Sequence, residues 1–255
     1  MKNMKTILLT NDDGYLSKGI FYLKKSLSKE YNVYIVAPDR ERSAISMALT
    51  LNQVLRINRI EKNVYSVSGT PVDCINVATM KVLPEPPDFI ISGMNLGENI
   101  SEDIYFSGTV GGAFSGYLFN IPSMAVSLMS DKSRKGIEKY NIEDSAEITK
   151  RILKKLIKLK RRDVIYNVNI PFNNNGKILI TSPGMKAYKP DIIEDKDPRG
   201  RKYYWIGTGN PTYKGENGSD VWAVKNGYIS VSLIRYNLDC GEKLKEELSR
   251  EFDGI

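Results

Sequence analysis

Asp12 and Asp13 stand side by side behind the apolar run Ile7–Leu9 and the polar pair Thr10 and Asn11, with Gly14 next. A buried strand is predicted to end there, and adjacent carboxylates repel unless a cation joins them. The tetrapeptide Asn11–Gly14 also suits a plain turn, because Asn, Asp and Gly are common turn formers. Other oxygen donors decide between the two. Ser43 closes the polar stretch that starts at Asp39 after a second apolar run, and Asn95 follows a third, Phe89–Ile91. Both carry neutral oxygens. A hard divalent cation such as Mg²⁺ or Mn²⁺ takes a few carboxylates plus neutral oxygens, water and substrate phosphate, and Co²⁺ accepts the same donors.

Ser107, Gly108 and Thr109 open a helix predicted at about 109–119. Free N–H groups and the helix dipole make such an end an anion site. The same residues also suit an ordinary N-cap. The chain has no histidine. A histidine nucleophile, a His-based triad and His-ligated zinc are therefore excluded. The position six after Cys74 is Met80, so there is no Cys-x5-Arg phosphatase loop, and no Gly-Lys-Ser/Thr P-loop ending occurs. Any hydrolytic nucleophile is then water activated by a metal, or a carboxylate.

The elements that must position these residues alternate along the chain. Strands are predicted at 6–10, 33–37, 88–92, 123–128 and 164–170, with strand-like runs in 49–57 and 64–68. Helices are predicted at 18–29, from Thr70 onward, at 109–119 and across the basic stretch 150–162. Thr70, Pro71 and Asp73 form a capping-box start with proline in the first turn. Strands alternating with helices predict a mostly parallel sheet with crossover helices. Ligands of such sheets bind beyond the carboxyl ends of the strands, where Asp12, Ser43 and Asn95 fall. After Pro171 aromatics, glycine and proline rise, with strand-like runs at 177–181, 202–207 and 227–234 and no helix predicted in 172–238. A last helix is predicted at about 241–252. The division expected is one unit over 1–255: a core at 1–171, a β-rich extension with a hairpin at 172–238, and a C-terminal helical segment at 239–255.

The 255 residues suit one α/β unit with a substantial core. No apolar run approaches the length of a membrane span, and the start is too short and polar for a signal peptide, so no membrane association and a cytoplasmic location are expected. Two distant cysteines argue against a disulfide scaffold. The net charge is +7, and residues 150–162 hold eight cations and no acid, more than the whole excess. Ile152, Leu153, Leu156 and Ile157 form an apolar stripe there. A solvated amphipathic helix is expected, and the stretch lacks the interleaved aromatics that would stack bases.

Several motifs in one order resemble the SurE family of 5′-nucleotidases: TNDDG at 10–14, VAPDRERS at 36–43, SGTPVDC at 68–74, SGMNLGEN at 92–99, SGTV at 107–110, DPRG at 197–200 and YWIG at 204–207. The resemblance implies a Rossmann-like α/β core and a C-terminal hairpin used in oligomerisation. It also implies a metal-dependent phosphomonoesterase acting on nucleoside monophosphates, with Asp12, Asp13, Ser43 and Asn95 as the metal ligands. Three positions depart from it: Ala44 and Ser101 stand where the family often has glycine, and Phe106 where it often has tyrosine.

The mechanism expected has one Mg²⁺, Mn²⁺ or Co²⁺ on those four ligands and an in-line attack by water. Asp12 and Asp13 are the catalytic carboxylates, Asp12 for preference accepting the proton. Asn99, Ser107, Gly108 and Thr109 hold the phosphoryl oxygens. The expected substrate is a nucleoside 5′-monophosphate, with 3′-monophosphates and short polyphosphate open. A homodimer or homotetramer and no stable nucleic-acid partner are expected. Two alternatives belong to other classes: a nucleotide-binding regulatory module that does not hydrolyse, and an RNA-binding protein using the 150–162 helix.

Overall fold

The sheet that positions the carboxylates starts from strand β1 (Thr6–Thr10). Ile7 and Leu9 point into one apolar cluster and Leu8 into another, all three fully buried. A strand covered on both faces is what a parallel sheet between helix layers requires. The computed structural model describes residues 4–131, 140–187, 191–207, 212–235 and 239–252.

In chain order β1 is followed by α1 (Lys18–Leu27), capped by the Ser17 hydroxyl, then β2 (Asn32–Pro38), β3 (Ile57–Glu61) and β4 (Val64–Val67). Helix α2 (Pro71–Val77) begins at the predicted capping box: Thr70 accepts the Asp73 N–H, and the Asp73 carboxylate accepts the Thr70 N–H. One π-helical turn, Ala78–Val82, extends it. Next come β5 (Phe89–Leu96), the short α3 (Asp103–Phe106), α4 (Gly108–Leu118), β6 (Ser123–Met129), α5 (Ile142–Leu159) and β7 (Ile165–Pro171). The remainder holds β8 (Ile178–Thr181), β9 (Met185–Ala187), β10 (Asp191–Lys196), β11 (Lys202–Gly207), β12 (Thr212–Lys214), α6 (Asp220–Lys225), β13 (Ile229–Ile234) and α7 (Glu242–Glu251).

The main sheet has nine strands in the order β3-β4-β2-β1-β5-β6-β7-β13-β8. From β4 to β7 every pairing is parallel. Strand order reverses between β1 and β5, the switch point where doubly wound sheets open a crevice. Helices α1 and α5 cover one face through Ile20, Leu23, Ile152 and Leu156, and α2 covers the other through Cys74 and Ile75.

The chain departs from the sequence expectation in several places. Residues 50–56 form no strand, and Leu51 and Val54 lie exposed. The basic helix stops at Leu159 with Lys160 in a left-handed cap, leaving 160–162 outside it. Helix α6 interrupts the region where no helix was predicted. Its cue was local, a Ser219 cap before Asp220 and the stop Asn226–Gly227, and its valines are weak helix formers. Finally, β8 and β13 join the main sheet rather than standing apart from it. Strands β10 and β11 pair with each other as an antiparallel hairpin outside that sheet, with Ile192, Ile193, Trp205 and Ile206 exposed.

Candidate active site

The turn and the carboxylate pair prove to be one structure. Asn11 Oδ1 accepts the Gly14 N–H at 3.2 Å, and its Nδ2 donates to the Gly14 carbonyl at 3.1 Å and to Ser17 Oγ at 2.6 Å. Gly14 sits at φ +94°, and a Cβ there would lie 3.3 Å from the Pro38 carbonyl, so the chain leaves sharply only with glycine. This turn delivers Asp12 almost wholly buried and Asp13 half-buried at the C-terminal end of β1.

Helix α4 meets Asp12 end-on. Thr109 Oγ1 donates to Asp12 Oδ1 at 2.5 Å, and the Thr109 N–H donates to Oδ2 at 3.2 Å. A Cβ on Gly108 would come within 2.9 Å of Asp12 Oδ2, so glycine permits this approach. Thr109 therefore faces the Asp12 carboxylate, a contact that sequence reasoning missed. Ser107 caps the helix by accepting the Val110 N–H at 3.0 Å. The Asp12 carbonyl in turn accepts the Arg42 N–H at 2.7 Å, which brings Ser43, the next residue, to the same end of the sheet.

Burial raises the Asp12 carboxyl above its ordinary value, against the hydrogen bonds from Thr109. Asp13 is pushed up to about 7 by burial, by Asp12 and by Glu41. Its Oδ2 is buried with no hydrogen-bond partner among the described residues. A bare cation is small enough to sit where water does not reach, and an orphaned carboxylate oxygen beside a second carboxylate is the donor it seeks.

The neutral donors are less buried. Ser43 is exposed, and its hydroxyl donates to Glu41 Oε1 at 2.7 Å, leaving its lone pairs available. Glu41 was not among the predicted site residues, although its place in the same polar loop was the signal. Asn95 lies on β5 past a bulge between Gly93 and Asn95. Its Nδ2 donates to the Gly97 carbonyl at 2.8 Å, which turns Oδ1 to other partners. Among the described residues no group of three or more His, Cys, Asp or Glu is placed to hold a metal. A cation here would thus rest on two carboxylates and neutral oxygens, the set that suits a hard ion.

Asn99 is buried and engaged: its Nδ2 donates to Ser127 Oγ at 2.8 Å and its backbone is gripped by β7. The two glycine departures share one conformation, with Ala44 at φ +54° and Ser101 at φ +53°. A cavity of about 520 Å³ opens beside Ser107, lined among others by Met47, Ile104, Tyr105 and Phe114. The basic segment lies elsewhere, on α5 and just beyond it. There Lys150 pairs with Glu147, Lys154 with Glu30 and Arg161 with Asp163, while the apolar stripe is buried.

A family profile described as Survival protein SurE matches residues 7–190. The 5′-nucleotidase SurE of Geobacter sp. (strain M21) is 42% identical over 235 residues, covering 91% of this chain and 93% of its own. The protein of the same name from Aquifex aeolicus (strain VF5) is 39% identical over 241 residues, 92% of this chain and 94% of its own. A crystal structure of the SurE protein from Aquifex aeolicus matches this fold with a TM-score of 0.81 at 35% identity, over 97% of this chain and 100% of that one.

Proposed function

The chain belongs to the SurE family, and from that membership we propose that it is a divalent-metal-dependent 5′-nucleotidase releasing phosphate from nucleoside monophosphates. The observation that carries this reading is the pair at the switch point, Asp12 buried and Asp13 half-buried, with Asp13 Oδ2 lacking a partner among the described residues. Asp12, Asp13, Ser43 and Asn95 are the residues that would hold Mg²⁺, Mn²⁺ or Co²⁺. Such an ion supplies Lewis-acid polarisation of the phosphate and an activated water.

The chain's own groups do the rest. Thr109 holds both oxygens of Asp12 and so fixes the carboxylate's plane. Asp13 is the freer of the two acids, which favours it over Asp12 as the proton acceptor. Ser107, Gly108 and Thr109 are the proposed seat of the phosphoryl oxygens at the positive end of α4. The Ser107 N–H goes to the Asp103 carbonyl, the Thr109 N–H to Asp12 and the Val110 N–H to Ser107 Oγ, which leaves the Gly108 N–H as the backbone donor of that turn. Asn99 stays in the proposed phosphate shell through its remaining amide hydrogen. The cavity beside Ser107 adjoins the residues that touch Asp12, and its apolar wall suits a nucleobase.

Phosphate release from a panel of nucleoside monophosphates, with each metal and with EDTA, tests the reading. Release that requires a divalent ion and prefers 5′-nucleotides supports it. A protein that binds nucleotides but releases no phosphate with any metal is the regulatory module instead. We further propose one unit over 1–255, a cytoplasmic location and a homodimer or homotetramer. No helix among the described residues is long and apolar enough to cross a membrane. The exposed apolar side chains of β10 and β11 suit a contact between copies.

A further inference from the structure

Asn169 takes no part in the chemistry above, yet it is fully buried on β7 and devotes its side chain to one residue of the loop that follows β5. Its Oδ1 accepts the Asn99 N–H at 2.8 Å, and its Nδ2 donates to the Asn99 carbonyl at 3.1 Å. Asn167, also fully buried on β7, donates to the same carbonyl at 2.8 Å. The amides treat Asn99 as a neighbouring strand would. A buried parallel strand is normally filled with apolar residues, and a buried amide costs stability wherever a group stays unpaired. Asn167 Oδ1 is unpaired among the described residues, so cohesion alone does not account for the pair.

The link to the cation seat runs through one peptide. The Gly97 N–H donates to the Leu128 carbonyl at 3.0 Å, and the Asn99 N–H to Asn169. Between these anchors lies the Gly97 carbonyl, which accepts Asn95 Nδ2 at 2.8 Å. Gly97, at φ +142°, resists rotation little. The bond to Asn169 is the anchor on the far side of that carbonyl, and the carbonyl sets which way the Asn95 amide faces.

We propose that Asn169 is a positioning residue for Asn95, holding the Gly97–Asn99 backbone so that Asn95 Oδ1 faces the cation seat. This rests on the reading of Asn95 as a metal ligand. The test is calorimetric titration of Mn²⁺ into the full-length, EDTA-stripped protein and its variants. Asn95→Ala should weaken Mn²⁺ binding; if it binds as the unaltered protein does, the ligand reading itself fails. Asn169→Leu should weaken binding about 10-fold, the usual loss when a group behind a ligand is removed. Asn167→Leu removes a buried amide from the same strand but keeps both bonds between Asn169 and Asn99, and should leave Mn²⁺ affinity unchanged. Unaltered affinity in Asn169→Leu, with Asn95→Ala weakened, overturns the proposal. Equal weakening in Asn167→Leu overturns it as well, since general loosening of β7 then explains the effect. If Asn169→Leu does not fold, Asn169→Ala is titrated in its place and judged by the same outcomes.

Discussion

At the scale of single residues, Thr109 decides what Asp12 can do. Its hydroxyl and its N–H reach both oxygens of the same carboxylate. Thr109→Val keeps the shape and removes the hydroxyl bond. It should lower kcat by about 10- to 100-fold with little change in KM, since a hydrogen bond to a charged group contributes about 1.5–3 kcal/mol. Unchanged steady-state kinetics would assign the hydroxyl to packing alone. Asp13 gives a second prediction. Its pKa rises from 3.8 to about 7 in the fold. The folded state then binds a proton that the unfolded chain has already lost, so stability without metal falls as pH rises from about 4 to about 7. Mn²⁺ compensates the ionised pair, and the Mn²⁺-induced rise in Tm should grow across the same range. A metal-free Tm and an Mn²⁺-induced shift both independent of pH over that range would contradict it. The placement of the carboxylate pair at a strand end was legible in the sequence, because adjacent acids follow an apolar run. The orientation of Thr109 was not, because a Ser-Gly-Thr start serves equally as cap, anion seat or carboxylate partner until α4 docks on β1.

At the scale of elements, left-handed backbone recurs at loop residues that carry a Cβ, Ala44 and Ser101 among them. Ala44 and Ser101 sit at φ +54° and +53°. A non-glycine residue there costs roughly 1–2 kcal/mol. Ser101 adds a buried hydroxyl without a partner among the described residues. Ser101→Gly should therefore raise stability by about 1 kcal/mol, or roughly 2–4 °C in Tm for a chain of this size. Differential scanning calorimetry reads this directly, and a lower Tm would mean that the Ser101 side chain contributes packing larger than the strain. Strong periodic elements were legible: the strands from β1 to β7 that carry continuous apolar runs, and α2 from its capping box. Residues 50–56 were not, because alternating apolar residues read as a strand whether or not a neighbour strand exists to pair with. Helix α6 was missed because six residues are too few for periodicity to outweigh valine.

At the scale of the molecule, the charge pattern and the apolar surface point to different things. The basic excess on and just after α5 is partly neutralised by Glu30, Glu147 and Asp163 and is spread on a solvated helix face. The apolar excess sits on the hairpin, where Trp205 is 64% and Ile206 81% exposed. Trp205→Asp should shift the particle mass in light scattering toward the single chain while the fold, read by circular dichroism, is retained. An unchanged mass would remove the hairpin from the interface. The parallel core was legible as an alternation of strands and helices, whereas its switch point required the strand order. The membership of β8 and β13 in that sheet was not, since it depends on long-range pairing that no local pattern encodes.

That pairing has a mechanical consequence. Strand β13 lies between β7 and β8, both of which precede the exposed turn Asp197–Arg201 in the chain. If trypsin cuts after Arg199 or Arg201, the C-terminal piece still runs as an inner strand between two strands of the N-terminal piece, stitched on both sides by backbone hydrogen bonds. The nicked protein should elute as one particle in size-exclusion chromatography and fall apart only in denaturant. The fold is thus sewn shut by its own tail, and its wholeness does not depend on an unbroken thread.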